Sequence, residues 1–227
     1  MKIEKINQEK SDTLFLFLAG WSVSPAYLRS LPLPIAADYW FVYDYRDLRF
    51  EETFANYKHI HLIAWSLGVW VASYLWSDKS IFESTTAING TPFPVDDERG
   101  IPTAIFEGTL QNVHEDGMRR FNRRMCGNKA SFMKYLEFPA RPIEEVKEEL
   151  TFLYRMIQVN TDKYAEETIF NFWDRAIIAT EDLIFPTANQ RNCWQDHCPI
   201  TAIQASHLPF NHEETLDELW KRSLKNS

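Results

Sequence analysis

Residues 58–77 read Lys58-His-Ile-His-Leu-Ile-Ala-Trp-Ser-Leu-Gly-Val-Trp-Val-Ala-Ser-Tyr-Leu-Trp-Ser77. From His59 to Trp65 the run is apolar and strand-like, with hardly a polar break after His61. From Leu67 onward it predicts a helix, with Val69, Val71, Leu75 and Trp76 available for burial. Ser66 sits on the turn between them. A strand that turns at once into a helix, with serine on the turn, is the nucleophile-elbow pattern. So sharp a turn demands small neighbours, and Gly68 supplies one two residues on. Two residues before, the usual glycine is replaced by Ala64, small but carrying a Cβ. The elbow aims the Leu67 N–H and the positive end of the new helix at any oxyanion formed over Ser66. The plainer alternative is a serine that only caps a buried helix.

Working outward, other strands flank this one. Thr13–Ala19, centred on Leu-Phe-Leu-Phe-Leu, is too continuously apolar to be half exposed and predicts a fully buried strand. It leaves on Gly20-Trp21-Ser22. Residues 2–7 predict an edge strand. Tyr39–Tyr43 predicts a further buried strand, leaving on Asp44-Tyr45-Arg46-Asp47, and Thr85–Ile88 another, leaving on Asn89-Gly90. Between Thr13–Ala19 and Tyr39–Tyr43 lies a Pro-rich stretch, 23–37, with room for a short helix around Tyr27–Leu31. Strand character returns at Arg175–Thr180 and Ile200–Gln204, and a last helix is expected over 213–224. Strands joined by crossovers make a mostly parallel α/β sheet, whose ligands bind beyond the carboxyl ends of the strands. Gly20, Ser66 and Asn89 stand at those ends.

From 101 to 168 no strand is predicted. The segment reads as several helices, one over Asp116–Met125 stopping at Gly127-Asn128, another over Ile143–Ile157 with Pro142 at its start. The expected organisation is therefore a core of 1–100 and 169–227 with a helical insert at 101–168.

Aromatic residues make up 15% of the chain, with 8 Trp and 16 Phe, which is more than a core of this size requires and suggests an apolar cavity. A net charge of −8 argues against nucleic acid as a partner. Cys126, Cys193 and Cys198 form no disulfide framework. The N-terminal residues lack the apolar run of a signal peptide, and no stretch is long and apolar enough to cross a bilayer. A cytoplasmic protein without a membrane partner is expected.

Ser66, Asp182 and His207 each follow a predicted buried strand, in the chain order of the α/β-hydrolase triad. The chemistry needs a base to take the serine proton and an acid to hold that base in one tautomer. Asp96 and Asp97, after the strand Thr85–Ile88, are the alternative acids. His59 and His61 lie on the strand entering the elbow and cannot turn back to Ser66. His114 lies in the insert, and His212 at the start of the last helix. Cys193, His197 and Cys198 resemble half a zinc site, but no second ligand pair has matching spacing, so no metal is expected. The second oxyanion donor is expected after the first buried strand, where Gly20 lets the Trp21 N–H approach.

In Leu18-Ala-Gly-Trp21, Asp44-Tyr-Arg46, Ala64-Trp-Ser-Leu-Gly68, Asn89-Gly-Thr-Pro-Phe-Pro94, Gly100-Ile-Pro102, Phe121-Asn-Arg-Arg-Met-Cys-Gly127, Glu181-Asp-Leu-Ile-Phe-Pro186 and His207-Leu-Pro-Phe210, the chain resembles a known family. These are the pimeloyl-acyl carrier protein methyl ester esterases of biotin synthesis, most closely the compact BioG type, with BioH more distant. The resemblance implies an α/β-hydrolase core, a helical lid at 101–168, some core helices replaced by loops, no cofactor, and hydrolysis of a methyl ester on a pimeloyl chain held by acyl carrier protein. Arg119, Arg120, Arg123 and Arg124, a basic cluster in a net acidic chain, would suit docking of an acidic carrier protein. The family's basic patch is not matched residue for residue, Asp116 standing about where one arginine is expected. The plainer alternative is a solvated helix face paired with the chain's own carboxylates. Trp21, Phe121, Met125, Phe132 and Phe152 would line the acyl pocket. A general short-chain carboxylesterase or thioesterase, or a non-catalytic carrier-binding module on the same fold, are the alternatives.

Overall fold

The structure, a computed structural model, describes residues 1–6, 11–33, 37–160, 163, 165–210 and 221. Seven strands form one sheet in the order β1-β3-β2-β4-β5-β6-β7. They are β1 (Lys2–Ile6), β2 (Thr13–Leu18), β3 (Asp38–Tyr43), β4 (His59–Trp65), β5 (Ser84–Ile88), β6 (Arg175–Ala179) and β7 (Ile200–Ile203). Every pairing is parallel except β1 with β3. The unbroken apolar run of β2 has its cause here: β2 lies between β3 and β4, and Leu14 to Leu18 are all buried. On β1, by contrast, no residue is fully buried, and the exposed Lys2 and Lys5 mark it as an edge strand.

Helices α1 (Pro25–Ser30) and α2 (Leu67–Leu75) belong to the first half of the sheet. Gly68 lets α2 pack hard against β2, because a Cβ there would lie 2.4 Å from the Leu18 carbonyl oxygen. Residues 46–57 hold no helix. Aromatic rings fill that side instead. Phe54 packs on Trp40 at 5.9 Å and on Phe82 at 6.1 Å, and Phe50 meets Trp76 edge-on at 5.2 Å between ring centres.

Between β5 and β6 run α3 (Thr103–Gln111), α4 (Glu115–Cys126), α5 (Lys129–Tyr135), α6 (Ile143–Val159) and α7 (Glu166–Asn171). The local chemistry marks their ends. His114 Nδ1 accepts from the Gly117 N–H at the start of α4, and Gly127, at φ 74°, ends it. Pro142 opens α6 and acidic Glu144 and Glu145 fill its first turn. After β6 comes α8 (Thr187–Trp194), a helix the sequence reading did not foresee. The helix expected over 213–224 lies outside the described residues, as does His212. Among the described residues no helix is long and apolar enough to cross a membrane.

Candidate active site

At the carboxyl end of β4 the chain turns into α2 through Ser66, whose backbone is held at φ 57°, ψ −128°. Few residues other than glycine adopt a positive φ, and holding one there costs on the order of 1–3 kcal/mol. The surroundings over-determine it: the Ser66 N–H donates to the Ile88 carbonyl at 2.9 Å, and the Ser66 carbonyl accepts from Val69 at 3.0 Å. The Ser66 hydroxyl makes no capping bond to α2. It lies 2.9 Å from His207 Nε2, so the plainer reading, a serine that only caps a helix, is set aside.

His207 follows β7 and is almost wholly buried. Its Nδ1 is 2.8 Å from Asp182 Oδ2. Asp182, after β6, is fixed in turn: Oδ1 accepts from the Ile184 and Phe185 amides, each at 2.8 Å, and Oδ2 accepts from Gln190 Nε2 at 3.1 Å. Gln190 belongs to α8, which explains why that helix matters to the site. The His207 carbonyl accepts from Trp65 Nε1 at 2.9 Å and from Asn89 Nδ2 at 3.0 Å. Neither Gln190 nor Asn89 was assigned a role from sequence. Asn89 follows β5 at φ 47°; the sequence signal was an asparagine at a strand end, which does not tell what it bonds.

Asp96 and Asp97 serve their own turns. Asp96 Oδ1 accepts from the Glu98 and Arg99 amides and Asp97 Oδ1 from Thr103, each at 2.8 Å. His61 Nδ1 is 2.9 Å from Ser84 Oγ and His59 pairs with Glu83, both toward the amino ends of the strands. His197 stacks on Phe170, and among the described residues no group of His, Cys, Asp or Glu is arranged to hold a metal.

A cleft of about 560 Å³, open solvent at its mouth included, runs from Ser66 and His207 outward between Trp21 and Leu67, α3, α4 and Leu183-Ile184. Its walls are mainly apolar: Ile101, Phe106, Phe121, Met125 and Leu150 among others. Ile105 and Leu183, both more than half exposed, stand at the mouth. Phe121 and Met125, one helical turn apart, both face it, as expected. Phe132 and Phe152 do not line it, which corrects the sequence expectation. Leu150 takes the inward face of α6, and Phe152, two residues on, is rotated roughly 200° away. Phe132 is buried on α5, the helix packed beside α4. Trp21 lines the cleft too, and its Nε1 donates to the Val146 carbonyl of α6 at 2.8 Å. The Trp21 and Leu67 amides meet no acceptor among the described residues.

The helices between β5 and β6 are tied to the rest of the chain beside this cleft. The Leu208 N–H donates to the Met125 carbonyl at 3.0 Å. On the other side Glu149, fully buried on α6, accepts from the Tyr45 amide at 2.8 Å and from Arg141 at 2.7 Å. Arg141 reaches Asp44 at 3.1 Å, and Asp44 also pairs with Arg46 and Lys2 at 2.8 and 2.9 Å. Burial alone would raise the Asp44 carboxyl; hydrogen bonds from Arg46 and Lys2 and the charge of Arg141 outweigh it and hold it well below the usual carboxylate range. Burial pushes the Glu149 carboxyl up against the pull of Arg141.

Arg119, Arg120, Arg123 and Arg124 are all exposed along α4, and Arg124 also lines the cleft. None of the four is ion-paired among the described residues.

A mostly parallel sheet, a serine on a positive-φ turn beyond its fourth strand, and a histidine and a carboxylate on the loops after the last two strands define the α/β-hydrolase fold. Solved structures of that fold superpose along the whole chain: a lipase-esterase related protein of Clostridium acetobutylicum does so with a TM-score of 0.65 at 12% identity, over 99% of this chain and 98% of that one. The particular family is narrower. The chain belongs to the BioG family, whose model, described as pimeloyl-ACP methyl esterase BioG, matches residues 1–218. The crystal structure of BioG from Haemophilus influenzae aligns with a TM-score of 0.87 at 41% identity, over 97% of this chain and 100% of that one. A malonyl-[acyl-carrier protein] O-methyltransferase of Bacteroides fragilis is 45% identical over 188 residues, 81% of this chain; the match spans 36% of that longer protein.

Proposed function

We propose that the protein is a serine esterase that removes the methyl group from a pimeloyl chain carried by acyl carrier protein, a step in biotin synthesis. The observation that carries the reading is the line Ser66–His207–Asp182, hydrogen-bonded at 2.9 and 2.8 Å at the inner end of an apolar cleft, in a chain of this family. His207 takes the Ser66 proton as the oxygen attacks the ester carbonyl. The Trp21 and Leu67 amides receive the oxyanion. The bond to the methoxy group breaks and the departing oxygen takes the proton from His207, leaving as methanol. Water then gives its proton to His207 and its hydroxyl to the acyl carbon, which frees the acid and restores Ser66. Asp182 stabilises the charged histidine throughout. The insert, 101–168, acts as a lid over the core of 1–100 and 169–227.

Two further observations support the substrate class. The exposed arginines of α4 lack partners among the described residues and suit an acidic carrier protein. A relative named for O-methylation of a carrier-bound acid contains a segment 45% identical to this chain, so a hydrolase that removes such a methyl group fits beside it. The test is to supply the methyl ester of pimeloyl-carrier protein and measure methanol, with intact-mass analysis after fluorophosphonate treatment. Methanol release and one adduct on Ser66 are expected, and Ser66→Ala should lose about 10³-fold or more in turnover. Release of the acyl chain from the carrier with the methyl ester intact would mark a thioesterase. Absence of an adduct would leave a non-catalytic binding module.

A further inference from the structure

The loop after β2 carries the Trp21 amide, and its neighbours hold it in place. Ser22 stands at φ 68°, a region few residues other than glycine adopt, and such a turn persists only where its surroundings fix it. Gly20 lies flat against the nucleophile turn, since a Cβ there would fall 3.0 Å from Ser66 Cβ. On the upstream side the Ala19 carbonyl accepts from the Tyr45 hydroxyl at 2.8 Å. That hydroxyl is also 3.0 Å from the Val42 carbonyl, which already accepts the Ala19 N–H at 2.9 Å, so the single phenolic proton serves Ala19 first. Tyr45 is fully buried, and burial pushes its phenol well above the usual value, which keeps that proton in place. On the downstream side the Trp21 indole donates to the Val146 carbonyl at 2.8 Å and meets Phe121 edge-on at 5.0 Å between ring centres.

Both anchors lead to one helix. Val146 and Glu149 are buried on the same face of α6, three residues apart. Glu149 Oε1 accepts from the Tyr45 amide at 2.8 Å, and its Oε2 accepts from Arg141 at 2.7 Å.

We infer that α6 sets the oxyanion site from a distance. Glu149 seats Tyr45, the Tyr45 hydroxyl fixes the Ala19–Gly20 peptide, and the Val146 carbonyl seats the Trp21 indole. The Trp21 amide between these anchors is thereby aimed over Ser66. Tyr45 and Glu149 touch no reacting atom and act as positioning residues. The inference rests on the oxyanion role proposed above for Trp21. A donor stabilises the developing charge most when it is already aimed before the charge appears, so its supports count in the rate.

The test is Tyr45→Phe, which keeps the buried ring and removes the hydroxyl. Two small soluble methyl esters are compared, alike except that one carries C=S in place of the ester C=O. Sulfur accepts hydrogen bonds weakly and lies farther from carbon, so the thionoester gains little from a fixed donor. Tyr45→Phe should lower kcat on the oxygen ester about tenfold to hundredfold with KM little changed. The thionoester should lose much less, so the oxygen-to-sulfur ratio of kcat falls. Trp21→Phe, which keeps the amide and a ring but lacks the indole N–H, should lower the ratio in the same way, and it carries the test if Tyr45→Phe does not fold. A disturbance of Ser66 or His207 would slow both esters together. An unchanged ratio in a folded variant, whether the rates hold or fall together, overturns the assignment. If the wild type hydrolyses neither ester, the esterase reading falls separately. The seating is then judged by hydrogen exchange of the Trp21 indole proton, expected to be about tenfold or more faster in Tyr45→Phe; equal rates overturn it.

Discussion

Asn89 holds His207 by its backbone: Nδ2 donates to the His207 carbonyl at 3.0 Å while Oδ1 accepts from the Ala179 amide at 2.7 Å. One side chain thus spans the loops that carry the base and, three residues beyond Ala179, the acid. Asn89→Asp tests this directly. Aspartate also tolerates the left-handed backbone and keeps the acceptor for Ala179, but it sets an oxygen against the His207 carbonyl. A tenfold to hundredfold fall in kcat is expected, since displacement of a reacting group by about 1 Å can cost 10²-fold. KM should change little. Wild-type kcat in a folded variant would show that Asn89 does not position the base.

Asp182 should outrank the two earlier acids. Asp182→Asn leaves His207 without the partner that fixes its tautomer, and a loss of roughly 10²–10⁴-fold in kcat is expected. Asp96→Asn and Asp97→Asn keep an Oδ1 acceptor for the turn amides and remove the charge and, at Asp96, the ion pair with Arg99, so their effect should be confined to about 1 kcal/mol of stability. Kinetics on a small chromogenic ester and thermal melts separate these cases; the reverse ranking would move the acid.

Charge reversal on α4 separates a carrier-protein esterase from a general one. With Arg120 and Arg124 both changed to Glu, kcat/KM on the carrier-bound ester should fall tenfold or more, through like-charge repulsion of an acidic partner. Wild-type activity on that substrate should also fall with added salt, because exposed charges are screened beyond roughly 8 Å at physiological ionic strength. Activity on a small ester should not depend on salt. Loss on neither substrate would favour the general esterase.

Acid should loosen the junction between α6 and the core. The Asp44 carboxyl titrates lower in the folded protein than in the unfolded chain. Its contribution to stability is therefore complete above the unfolded value, roughly pH 4, and is lost as the pH falls toward the folded one. Asp44→Asn keeps a residue suited to φ 55° but removes the charge and replaces one of the two acceptor oxygens with an amide N–H that faces the same cations. Because Glu149 still pairs with Arg141, the cost should sit near the low end for a broken buried pair, about 3 kcal/mol. Denaturation between pH 2 and 7 should show a flatter acid limb for the variant; parallel curves would contradict the account.

The sequence carried the sheet because burial on both faces leaves its mark on every residue of a strand, as in Leu14 to Leu18. Ser66 and Asp182 were legible because each follows such a strand, whereas His207 follows β7, a half-exposed edge strand, and was legible by its place in the chain order of the triad. Asn89 and Gln190 were not given roles. Asn89 reaches Ala179 and His207, 90 and 118 positions away, and nothing local announces such a bond. Gln190 escaped for a second reason: the apolar pattern of α8 is weak, its buried residues being Gln190, Cys193 and Trp194. For the cleft, periodicity identified apolar faces without telling which neighbour each would meet. Phe121 and Met125 line the cleft, whereas Phe132 and Phe152, which the same periodicity offered, do not.

The Leu208–Met125 bond bears on how such proteins can be rebuilt. The C-terminal end of α4 and the loop that carries His207 are stitched backbone to backbone, and a Cβ on Gly127 would fall 2.5 Å from Ser206 Cβ. A transplanted insert would bring its own ending to that seam. Chimaeras that exchange residues 101–168 alone should lose the register of the base, whereas those that exchange the histidine loop together with the insert should keep it, so the two distant segments form one unit of inheritance.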